Sequence, residues 1–91
     1  MAITVKLPTQ LRDLAGGAAS VEAEGDTVGE ALESVFAKHG ELRNRLYEES
    51  GALRRFVNVY VGGEDIRTLD DLDTPVSAGA QLTILPAVAG G

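Results

Sequence analysis

Between Thr27 and Gly40 the chain carries Val28, Ala31, Leu32, Val35 and Phe36, spaced i, i+3, i+4, i+7 and i+8. That spacing winds one continuous apolar stripe along a single face of an α-helix. Burying each of the larger members is worth roughly 1.5–3 kcal/mol, so the stripe has to be covered by something. Thr27 with Glu30 three residues on is a capping box, and Asp26 adds negative charge near the positive helix end. Lys38 and His39 stand at the negative end, and Gly40 occupies the place of a left-handed C-terminal residue. His39 therefore reads as a helix-terminal residue rather than a catalytic base.

The cover is legible on either side of the helix. Ile3, Val5 and Leu7 alternate with Thr4 and Lys6, the period of a half-buried strand, and Pro8 ends it. Leu11 to Gly17 is a loop or short helical turn, and Val21 and Ala23 alternate with acids and serine in a second strand. The two make an antiparallel hairpin with Gly16-Gly17 at the turn. After the helix, Leu42 and Leu46 suggest a short second helix that Glu48-Glu49-Ser50-Gly51 breaks. Phe56 to Val61 is a strand by its β-branched and aromatic content, with Val57, Val59 and Val61 facing the stripe and Phe56, Asn58 and Tyr60 facing away. Gly62-Gly63 turns the chain into at most a short strand at Glu64 to Arg67, followed by an acidic loop containing Leu69, Leu72 and Val76. Gln81 to Pro86 is the last strand, with Leu82 and Ile84 inward and Leu85 outward. The order β-β-α-(α)-β-β-β with one main helix gives a two-layer α+β domain. A helical crossover lets the last strand lie beside the first and parallel to it, which is the β-grasp, or ubiquitin-like, topology. The expected division is a β-grasp domain over residues 1–86 and a flexible C-terminal Gly-Gly tail over residues 87–91.

The inventory excludes most catalysis. There is no cysteine, a single histidine, and no glycine-rich phosphate loop ahead of a lysine. One histidine without carboxylate partners at helical spacing does not make a metal site. The neighbouring acids Glu48-Glu49 and Asp70-Asp71 read as solvated loop residues. Fourteen acids against eight bases give a net charge of −6, which repels phosphate backbones and argues against nucleic acid. No apolar run is long enough for a membrane span, and the start of the chain leads straight into a strand pattern, so a cytoplasmic protein is expected. The chain alone is expected not to be an enzyme.

What remains is the end of the chain. Ala87-Val88-Ala89-Gly90-Gly91 has no charge and no aromatic anchor, and is expected to be mobile when free. Extended, it reaches about 17 Å past the last strand. Gly90-Gly91 is thin enough to thread a narrow slot, and no side chain obstructs attack at the glycine carbonyl. The carboxylate of Gly91 is ionised at neutral pH and can attack a nucleotide phosphorus; the acyl phosphate that results can pass to sulfide or to an amine. Ordering the tail costs roughly 1–2 kcal/mol per residue, so a partner has to grip the folded body too. Leu85, Phe56 and Tyr60 are expected to form an exposed apolar patch for that grip.

Leu11-Arg12-Asp13-Leu14 after the first strand, Asp26-Thr27-Val28-Gly29-Glu30-Ala31-Leu32 opening the helix, and Pro86-Ala87-Val88-Ala89-Gly90-Gly91 after an Ile-Leu strand resemble the ubiquitin-like sulfur carriers over essentially the whole chain. Arg54 to Val61 and the Ala-Val-Ala-Gly-Gly ending are most similar to the family's actinobacterial cysteine-biosynthesis branch, and the tail departs from the molybdopterin type, Pro-Val-Thr. The resemblance implies that an E1-like adenylyltransferase activates Gly91 with ATP and that sulfur is carried covalently as a thiocarboxylate, with no cofactor bound. It implies as further partners a sulfur-accepting synthase and a tail-processing metalloprotease. It also implies that Gly90 threads the slot and that Leu85 and Arg12 lie at partner interfaces. Supply of sulfur to thiosugars or other metabolites, a thiamin or molybdopterin role, a protein modifier joined through Gly91, and a plain interaction module are the alternatives.

Overall fold

The stripe that opens the sequence argument is the centre of the core. In the computed structural model, which describes residues 2–54 and 57–86, α1 (Val28–Lys38) buries Val28, Ala31, Leu32, Val35 and Phe36 together. Its start follows the capping-box chemistry with a one-residue offset. Thr27 Oγ1 accepts the Glu30 N–H at 3.2 Å, and Glu30 Oε1 accepts the N–H of Asp26, rather than that of Thr27, at 2.9 Å. Gly25 precedes this cap at a close approach: a Cβ there would lie 2.7 Å from Glu30 Cβ and 2.8 Å from the Ala31 nitrogen.

The helix covers a five-stranded mixed sheet, ordered β2-β1-β5-β3-β4. Its strands are β1 (Ile3–Lys6), β2 (Ser20–Ala23), β3 (Val57–Val61), β4 (Glu64–Asp65) and β5 (Gln81–Pro86). β1 and β2 are antiparallel, with Val5 opposite Val21. β5 enters between the two hairpins, parallel to β1 (Val5 beside Leu82) and antiparallel to β3 (Val59 beside Ile84). Ile3, Val5, Val21, Ala23, Val57, Val59, Leu82 and Ile84 point into the core, as alternation requires. The β-grasp topology expected from the sequence is the one observed.

The connections follow from local chemistry. A 3₁₀ helix over Thr9–Ala15 fills the first hairpin, and Gly16 and Gly17, at φ 69° and 88°, release it into β2. Gly62 and Gly63, at φ 57° and 89°, are the two-residue turn that matches strand twist between β3 and β4.

One expectation is corrected. Gly40 is not a left-handed terminator: it is right-handed, at φ −59° and ψ −27°, and opens α2 (Glu41–Leu46). The break in α1 falls at His39, at φ −135° and ψ 75°, whose N–H still donates to the Val35 carbonyl at 2.8 Å. With the second helix starting so soon, the His39 and Gly40 carbonyls accept the N–H groups of Leu42 and Arg43, so no left-handed cap is needed.

Arg43 ties the two helices together. Its guanidinium bridges both oxygens of Glu33, at 3.0 and 2.8 Å, and lies 5.6 Å from the Phe36 ring centre and 5.8 Å from that of Tyr47. Phe36 and Tyr47 meet edge to face at 5.0 Å. Burial, helped by the Glu33 carboxylate and opposed by Arg43, pushes the Tyr47 phenol up to about 12.

Candidate functional site

β5 carries the chain toward its last residues, and its environment defines the site. Leu82 and Ile84 are buried, which turns Thr83 and Leu85 to the opposite face of the sheet. Leu85 is 45% exposed on a strand bonded along both flanks. An apolar side chain left in water at the root of the tail is available for a partner to cover. The tail residues Ala87, Val88, Ala89, Gly90 and Gly91, and the patch residue Phe56, lie outside the described residues.

The expected apolar patch is narrower than alternation alone suggested. The β3–β5 register sets Asn58 directly opposite Leu85 and Tyr60 opposite Thr83, so Tyr60 is a diagonal neighbour of Leu85. Tyr60 is half-buried. The outer face is otherwise polar here, with Lys6 and Thr4 on β1 and Gln81 on β5.

Arg12 is placed where it can serve the same surface. The 3₁₀ helix after β1 holds it half-buried, with Nε donating to the Leu7 carbonyl at 3.3 Å. Arg12 and Leu85 line one open groove of about 610 Å³, together with Lys6, Gln10 and Thr83. The structure thus brings Arg12 and Leu85 to a common concavity beside β5, and leaves Tyr60 outside it. Two cations beside an apolar side chain contrast with the net charge of −6. Asn58 and Lys6 were not singled out in the sequence. Their outward phase is readable there, but their nearness to Leu85 depends on strand register, which pairing between distant segments decides.

Among the described residues, no three histidine, cysteine, aspartate or glutamate side chains group to hold a metal, and no helix is long and apolar enough to cross a membrane. Glu48, Glu49, Asp70 and Asp71 are all exposed. His39 sits half-exposed at the end of α1.

A profile of the ThiS family matches residues 5–91. The chain belongs to that family. It is 46% identical over 93 aligned residues to the sulfur carrier protein CysO of Mycobacterium tuberculosis, with 100% of each chain covered. It superimposes with a TM-score of 0.91 and 50% identity on a chain of the Amycolatopsis orientalis BexX/CysO complex, covering 99% of this chain and 100% of that one. Small archaeal modifier protein 1 of Haloferax volcanii is more distant, at 34% identity over 88 residues, 94% of this chain and 97% of the relative. The function that these similarities define is that of a sulfur carrier, a small protein that holds sulfur rather than a catalyst.

Proposed function

We propose that the sulfur is carried on Gly91 and that the chain is a co-substrate of partner enzymes. An E1-like adenylyltransferase takes the Gly91 carboxylate into its slot with Ala87 to Gly90 extended behind it. A carboxylate oxygen attacks the α-phosphorus of ATP and releases pyrophosphate. Hydrosulfide then attacks the acyl carbon, AMP leaves, and the chain ends in a thiocarboxylate. A sulfur-accepting synthase takes the sulfur for cysteine or for thiosugars and similar metabolites, and a metalloprotease trims the tail when a residue has been built on it. The setting is the cytoplasm. Leu85, Arg12, Tyr60 and Phe56 are the residues by which partners hold the body.

The observation that carries this reading is the full-length match to CysO, which includes the Gly90-Gly91 end. The A. orientalis relative is described in complex with BexX, which fits a carrier that works by docking on a folded enzyme. The test is the intact mass of the chain after incubation with the activating enzyme, ATP and sulfide. Exchange of one oxygen for sulfur is expected, and a chain lengthened by one residue beyond Gly91 should show none. Conjugates of higher mass would favour a protein modifier, and sulfur on the lengthened chain would overturn the role of Gly91.

A further inference from the structure

The side chain opposite Leu85 is held in one orientation from behind. Arg67 Nη1 donates to Asn58 Oδ1 at 2.8 Å, while Nη2 donates to the carbonyls of Val57 at 2.8 Å and Arg54 at 3.0 Å. The Arg67 backbone N–H is itself fixed on Asp65 Oδ1 at 2.9 Å. Arginine has donors and no acceptor, so the carboxamide must turn its oxygen to Arg67 and its NH2 group away. That NH2 donates to no described residue, and Asn58 is half-buried on the outer face in register with Leu85. A cation on the carbonyl oxygen polarises the amide and strengthens its N–H groups as donors, which suits an anionic acceptor.

We propose that Asn58 is a specificity contact for the activating enzyme and that Arg67 is its positioning residue. The Asn58 NH2 donates to a carboxylate oxygen of that enzyme while an apolar side chain of the enzyme covers Leu85. The inference rests on the activation reading above and adds the chemistry of the surface that recognises this carrier: an acid set beside an apolar side chain, matching an amide set beside a leucine.

Asn58→Asp separates recognition from folding, because it keeps an oxygen on Arg67 and replaces the NH2 with a second oxygen. The assay is ATP–pyrophosphate exchange by the activating enzyme as a function of carrier concentration, with thermal unfolding of each variant alongside. The expected result for Asn58→Asp is a KM raised at least tenfold, kcat within twofold, and an unchanged Tm. Arg67→Ala is expected to raise KM in the same direction, because the carboxamide is then free to turn. A purely structural Arg67 would lower Tm and leave KM unchanged in the folded fraction. Normal exchange by the wild-type chain with an unchanged KM for Asn58→Asp would overturn this proposal alone. No exchange by the wild-type chain would overturn the activation reading, and this proposal with it.

Discussion

Leu82 and Leu85 lie three residues apart on β5 and face opposite ways, which allows folding and docking to be tested on one strand. Leu82 is 0% exposed, and Leu82→Ala leaves a cavity in the middle of the core. The cost for such a site is about 3 kcal/mol, which lowers Tm by roughly 12–24 °C in a domain of this size. Leu85 is 45% exposed, so Leu85→Ala removes only the packing of its covered part, about 1 kcal/mol and roughly 4–8 °C. The exposed 45% is what a partner can still cover. At 1.5–3 kcal/mol for a fully buried leucine, that share is about 0.7–1.4 kcal/mol, or a three- to tenfold rise in carrier KM. Circular dichroism melting gives the first pair of numbers and pyrophosphate exchange the second. Leu85→Ala melting as low as Leu82→Ala, or leaving KM unchanged, would refute the assignment of Leu85 to docking rather than to the core.

Gly25→Ala should lower Tm by more than 10 °C, since its Cβ would lie 2.8 Å from the Ala31 backbone nitrogen, which cannot yield without moving the first turn of α1; the melting curve of the variant checks it. The Tyr47 phenol, raised to about 12 in the folded chain, favours the neutral form there more than in the unfolded chain. Its stabilising effect is complete below the unfolded value of about 10 and is lost as pH rises through 12. Tm should therefore fall across that interval more steeply for the wild-type chain than for Tyr47→Phe, and equal slopes would argue against it.

The parts of this fold that could be read from the sequence are those fixed by local chemistry. The stripe from Val28 to Phe36, the Thr27–Glu30 cap and the alternation of Leu82 and Ile84 each carry their own periodicity or hydrogen-bond logic, and each is observed. Gly40 misled because a glycine after a helix is a terminator only when nothing helical follows; α2 begins at the next residue and takes the free carbonyls instead. The outer face around Leu85 is legible in its phase but not in its register. Tyr60 was expected beside Leu85 because both point outward, whereas the ladder places Asn58 there. Arg67, nine residues from Asn58 and beyond a turn, gives no sign in the sequence that its guanidinium returns to the start of β3. Such contacts depend on the closure of a hairpin and a 3₁₀ turn together, which no local pattern records.

The position of β5 has a mechanical consequence. If partners draw the last five residues into a slot, as proposed, the load passes to a strand bonded to β1 on one flank and to β3 on the other. Under such a pull, the rungs on both sides must shear simultaneously instead of unzipping singly. Tension on the end of this molecule would therefore be shared by two ladders at once, an arrangement suited to a carrier that is pulled on and then released still folded.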